Sequence, residues 1–375
     1  MKIMVMTYWD SNTNYGQQLQ IYALQKKLEG LGHEVTLLRY HFVKNKYDIR
    51  RIMSAFNFGK LIKYIEITVR HRKAKAEEEK NSRQFQKFRS KHLRMTERDF
   101  FSTKEMNDLD AQCVITGSDQ VWNWEWKTGS NFVEFANAYF LGFVRPGIHR
   151  ISYAASWGGK VPNKSEEKLL RKLLAQFDLI TVREDVGIKT CAMCGRTDSD
   201  VVPDPTLLLN AEDYRKLYVE EEMLSIDEPY VFFYHLNNRD DFNINGLYDW
   251  AREKNLRVVY VTANAVVDSY EKVYPTIPQW LYLIEHAEYV VTNSFHGCVF
   301  SLIFNKKFGV IKLSGRSKEM NCRLDSLFFM CHVNPRYIER NNFDVLDMPA
   351  EKISVDYAGA DKVWTKLEAW NETIK

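Results

Sequence analysis

The residues of this 375-residue chain best placed to do chemistry follow short apolar runs and open helical ones. Thr292-Asn293-Ser294-Phe295-His296-Gly297 comes after Tyr289-Val290-Val291 and before an apolar helix carrying Val299, Phe300, Leu302 and Ile303. This spacing puts His296 at a helix N-terminus, where an imidazole can deliver a proton near neutral pH. A packed structural histidine is the plain alternative. Thr181-Val182-Arg183-Glu184-Asp185 has the same strand-to-helix setting. Arg183 offers a planar fork for a carboxylate or phosphate, or a partner for the neighbouring acids. Ile115 to Asn123 ends another strand in Gly117-Ser118-Asp119. Asp119 can take a proton from a hydroxyl or orient a sugar diol, and Trp122 can stack on a sugar ring. Ser118 and Asp119 would equally serve to cap a turn. The loop Asn12 to Gln17, with Asn14, Tyr15 and Gly16, precedes the first helix and can present backbone N–H groups to an anion or to sugar hydroxyls. Capping explains it as well, and it lacks the GxGxxG of a dinucleotide site. Lys312, Arg316, Lys318 and Arg323 lie at and beyond a late strand, as cations for an anionic ligand or as a solvated loop.

The elements that must hold these residues alternate. Strands are predicted at 2–8, 34–39, 112–116, 150–155, 179–182, 230–234, 256–262, 289–291 and 308–313, most of them followed by helical periodicity. This is an α/β pattern of parallel sheets. The polar stretch 220–229 reads as a hinge, so the expected architecture is two Rossmann-like domains facing a cleft, with ligands at the carboxyl ends of the strands. The expected bounds are 1–222 for an N-terminal, acceptor-side domain and 223–352 for a C-terminal, donor-side domain. Residues 353–375 form a final helix that packs back on the first domain. Residues 45–95 break the alternation and read as a charged helical insertion, rich in Lys and Arg.

A formal charge of +3 gives no overall signal for nucleic acid. No apolar run of about 18 residues suggests a membrane span. The six cysteines are scattered, and Cys191 and Cys194 form a lone CxxC without further zinc ligands, so a reducing cytoplasm and no metal are expected. Aromatic residues reach 14%, enough for a sugar site but also usual for a core.

Taken in order, these segments resemble the polysaccharide pyruvyltransferase family. The resemblance rests on Asn14-Tyr15-Gly16 with Gln20, Ala23, Leu24 and Leu28, on Gly117 to Asn123, and on Ser152-Tyr153-Ala154-Ala155-Ser156. It continues through Val182-Arg183-Glu184, Asp204-Pro205-Thr206 and Ser294 to Gly297, and covers roughly residues 1 to 330. It implies a GT-B arrangement and a cytoplasmic enzyme, without cofactors, that moves the enolpyruvyl group of phosphoenolpyruvate onto a sugar as a pyruvate ketal. The acceptor would be a sugar or lipid-linked oligosaccharide of a bacterial surface polysaccharide. The basic insertion at 45–95 matches none of these motifs and reads either as a peripheral contact with a membrane, acceptor or partner or as a solvated helix face. On this resemblance His296 is the general acid; Asp119, from its own setting, is the second expected catalytic residue. Arg183, Ser294, Gly297, Lys312 and Arg316 bind the donor, and Asn14, Tyr15, Gly16, Ser118 and Trp122 the acceptor. Some members carry an arginine two residues before the histidine, where this chain has Ser294. A GT-B nucleotide-sugar glycosyltransferase and a non-catalytic glycan-binding relative are the alternative readings.

Overall fold

Runs of apolar residues with no polar alternation fold as strands covered on both faces, and parallel sheets demand such strands. The computed structural model describes residues 1–42, 72, 76, 81–124, 131–236, 242–263, 266, 268–339 and 342–374. Most of the charged insertion expected over 45–95 lies outside the described residues.

The first half contributes β1 (Lys2–Met6), α1 (Tyr15–Gly30), β2 (Glu34–Leu37), α2 (Phe85–His92), β3 (Cys113–Thr116), α3 (Phe132–Tyr139), β4 (His149–Ala155), α4 (Lys164–Leu174), β5 (Leu179–Val182), α5 (Asp185–Met193), β6 (Asp200–Val201) and α6 (Ala211–Arg215). Its strands pair in parallel in the order β2-β1-β3-β4-β5-β6. The second half contributes β7 (Tyr230–His235), α7 (Ile244–Glu253), β8 (Arg257–Thr262), α8 (Ile277–His286), β9 (Tyr289–Thr292), α9 (Phe295–Ile303), β10 (Lys307–Val310) and α10 (Cys322–Met330). These strands form a parallel sheet ordered β10-β9-β7-β8. Every residue of β3 and of β7 is buried. The parallel register (Val5 beside Ile115, Phe233 beside Val291) brings the carboxyl ends of neighbouring strands together.

Local chemistry starts the helices. The Asn14 side chain accepts from the Gln17 N–H at 3.2 Å, and Ser294 caps Gly297 in the same way at 3.2 Å. Thr276 and Gln279 form a capping box at the start of α8.

One apolar cluster runs through both halves, from Val5 and Leu24 to Phe232 and Trp280. Tyr15 is the pin between them. Its ring stacks on Trp280 with centroids 5.1 Å apart, and its hydroxyl donates to the Pro275 carbonyl at 2.8 Å. Nearby, Arg83 Nη1 donates to the Thr262 carbonyl at the end of β8, at 2.6 Å. The last helix, α11 (Ala358–Ile374), packs on residues of the first half: Trp364 stacks on Tyr153 and Trp370 on His149. Among the described residues, no helix is long and apolar enough to cross a membrane.

Candidate active site

His296 is set by the turn that follows β9. Thr292 Oγ1 donates to the Tyr234 carbonyl at 2.6 Å and accepts the Ser294 N–H at 2.9 Å. A β-carbon on Gly297 would lie 2.5 Å from that Oγ1, so only glycine lets α9 begin this close to the strand. The first turn of α9 thereby meets the first turn of α1, which belongs to the other sheet. A β-carbon on Gly16 would sit 2.1 Å from His296 Cγ and Nδ1. The imidazole is 9% exposed, and its Nε2 lies 3.6 Å from Asp204 Oδ2, beyond hydrogen-bond length. That buried nitrogen has no hydrogen-bond partner among the described residues.

Asp204 is the hub of the site. Its Oδ1 accepts from the Thr206 N–H at 3.0 Å and the Thr206 hydroxyl at 2.7 Å. Its Oδ2 accepts from the Ser118 hydroxyl at 2.7 Å and from Arg183 Nη1 at 2.9 Å. Burial alone would raise this carboxyl. The charge and proximity of His296, then Arg183 and the Thr206 hydroxyl, outweigh it and hold Asp204 well below the usual carboxylate range. Arg183 is almost wholly buried, lies 3.8 Å from Glu184 Oε2 through Nε, and has its guanidinium 4.4 Å from the Phe295 ring centroid. Its Nε and Nη2 have no hydrogen-bond partner among the described residues. Glu184 Oε1 gathers the loop after β4, accepting from the Ser156 hydroxyl and from the Trp157 and Gly158 N–H groups at 3.0, 2.6 and 3.0 Å. Carboxylates, a guanidinium and an imidazole thus meet where the two sheets' strand ends face each other, an arrangement suited to holding an anion and moving a proton.

These residues fall within the span, 14–314, that a model of the polysaccharide pyruvyl transferase family matches. The chain belongs to the polysaccharide pyruvyl transferase family. Among solved structures, the Methanocaldococcus jannaschii UDP-GlcNAc 2-epimerase in complex with UDP-GlcNAc and UDP is similar over 98% of this chain and 100% of its own. The identity is 9% and the TM-score 0.50. The S. aureus MnaA–UDP co-structure covers 96% of this chain and 94% of its own, at 13% identity and TM-score 0.46. At these identities the likeness is one of fold, two Rossmann-like domains in a GT-B-like arrangement. No protein of curated function matches the chain.

Within this family member the expected site residues divide. His296, Arg183, Ser118 and Gly16 converge on one seam. Asp119 stands at its edge in a left-handed conformation, φ 80°, rare for a residue with a β-carbon. Its Oδ1 accepts the Gln120 N–H at 2.8 Å, and its charge bears on Tyr8 and on Arg323. The others have different work. Tyr15 is buried in the core between the sheets, and Asn14 caps α1, so neither ring nor amide is offered to an acceptor. Trp122 is fully buried: its ring stacks on Phe140, 4.8 Å between centroids, and its indole donates to the Tyr139 carbonyl, which leaves no face for a sugar. The Ser118 hydroxyl is committed to Asp204. The Ser294 hydroxyl and the Gly297 N–H are committed to each other as the α9 cap. Lys312 is exposed, paired with Glu339 at 2.9 Å over the Tyr337 ring, rather than turned to a donor. The Arg316 side chain lies outside the described residues.

Asp204 was not among the expected site residues, although Asp-Pro-Thr after a short strand carried the signal: an acid with a proline and a hydroxyl to fix it. Gly16 makes the seam testable. Gly16→Ala is expected to reduce kcat/KM about 100-fold, because a methyl group there must displace the imidazole by roughly 1 Å or hold the halves apart. Steady-state kinetics with scattering of the free and donor-bound forms would check it. Wild-type kinetics would mean that the Gly16–His296 contact has no part in turnover.

Proposed function

We propose that this chain transfers the pyruvyl group of phosphoenolpyruvate to a sugar diol of a surface-polysaccharide precursor, closing a cyclic ketal. The observation that carries this reading is the His296 imidazole. It is buried between two domains, beside an ionised Asp204, with a nitrogen that makes no hydrogen bond to a described residue. In this reading the imidazolium Nε2 gives its proton to the methylene carbon of the enol, which becomes the methyl group. The adjacent carbon takes on oxocarbenium character, and Asp204 supports the charge on the ring that delivers the proton. One sugar hydroxyl adds to that carbon and gives its proton to Asp119. The phosphate–carbon bond breaks, and the second hydroxyl closes the ketal. Of the two hydroxyl protons released, one restores the imidazolium and the other leaves with inorganic phosphate. Arg183, through the Nε and Nη2 that hydrogen-bond to no described residue, faces the donor's anionic end.

Ligand-induced thermal stabilisation tests the donor. Phosphoenolpyruvate at 100 times its dissociation constant should add about 2.7 kcal/mol to the folded state, and UDP- and GDP-sugars should add nothing. Stabilisation by a nucleotide sugar, with none from phosphoenolpyruvate, would make this a glycosyltransferase on the same fold.

A further inference from the structure

Two guanidinium groups lie against the ring of Phe295, the residue next to His296. Arg183 is 4.4 Å from its centroid and Arg323 is 5.9 Å away. They come from opposite halves of the molecule, Arg183 from the end of β5 and Arg323 from the first turn of α10. Their surroundings differ in one respect. Arg183 has the Asp204 carboxylate at 2.9 Å. Arg323 is half-buried, donates from Nε to the Met320 carbonyl at 3.0 Å, and has no carboxylate within ion-pair distance among the described residues. Desolvation, then the charge of Arg183, push its guanidinium down to about 10, against a smaller opposing effect of Glu184.

A cation held in a seam next to a like charge, with no described carboxylate within ion-pair distance, is unfavourable for the ligand-free protein. An anion placed between the two arginines would reverse the sign of both contributions. The fork of each guanidinium matches the oxygens of a phosphate, and the start of α9 adds its N-terminal dipole on the same side. Lys312, another cation expected to serve a donor, is engaged with Glu339 instead. We infer that Arg323 binds the donor's phosphate, facing Arg183 beside Phe295. This rests on the phosphoenolpyruvate reading and adds a residue and a consequence to it. Because the two arginines belong to opposite halves, a phosphate bridging them also holds the seam closed, with His296 seated against Gly16.

The test is calorimetric titration of phosphoenolpyruvate, and separately of inorganic phosphate, into the wild-type protein, R323Q and R323K. The expected result is binding of both ligands by the wild type and a dissociation constant for phosphoenolpyruvate raised at least tenfold in R323Q. R323K should fall between, since lysine keeps the charge without the fork. In turnover, R323Q should raise KM more than it lowers kcat. Wild-type affinity in R323Q would overturn the assignment of Arg323 and leave the donor reading intact. A wild-type protein that binds neither ligand would overturn both. If R323Q does not fold, arginine modification by phenylglyoxal in the wild type decides: phosphate should protect Arg323, and unchanged modification would refute the assignment.

Discussion

Replacing His296 by glutamine is expected to lower kcat about 1000-fold while phosphoenolpyruvate still binds within a few-fold of wild-type affinity. Glutamine fills similar space and can still hydrogen-bond, but it cannot hand a proton to carbon. The histidine is confined on one side by Gly16 and on another by Asp204 Oδ2 at 3.6 Å. Its replacement therefore removes the proton without opening a large void. Asp204 keeps Arg183, Ser118 and Thr206 as partners, so the hub should persist. Single-turnover kinetics beside a donor titration would separate chemistry from binding. Turnover within tenfold of wild type would dismiss His296 as the acid. A parallel loss of donor affinity and of melting temperature would assign it to packing instead.

What could be seen in the sequence was whatever depends on neighbours along the chain. Strand, turn and helix start around Arg183 and His296 are local patterns, and the βα order follows from them. The strand ends then had to face one another, which placed both residues at one seam. What could not be seen depends on residues far apart. Tyr15 reads as a loop aromatic until Pro275 and Trp280 come to meet it, 260 or more positions away. Trp122 offers the same indole to a sugar or to a core, and only the packing of Phe140, Trp157 and Phe177 decides. Lys312 is neutralised by Glu339, 27 residues on. Asp204 had no visible role because its partners, Ser118, Arg183, Thr206 and His296, are brought to it from three separate strand ends and a loop of its own.

That hub carries the second large effect. Asp204→Asn is expected to destabilise the fold by about 3–5 kcal/mol, the usual consequence of stranding a buried cation. The amide matches the carboxylate in shape, and its oxygen can still accept from Thr206. Arg183, however, is left with Glu184 at 3.8 Å as its nearest opposite charge. The pH dependence identifies the cause. The folded protein holds the Asp204 carboxyl below its unfolded value of about 3.9, so its contribution is complete above that pH and is lost as pH falls toward the folded value. Denaturant unfolding should therefore show a constant gap between wild type and variant from about pH 5 to 7, closing below about pH 4. A gap below about 1 kcal/mol at pH 7 would show that the ion pair adds little beyond its hydrogen bonds. A gap unchanged down to pH 3 would trace the loss to packing. A stable variant that nonetheless lost turnover would place Asp204's contribution in the charge it offers the His296 imidazolium as the proton is transferred.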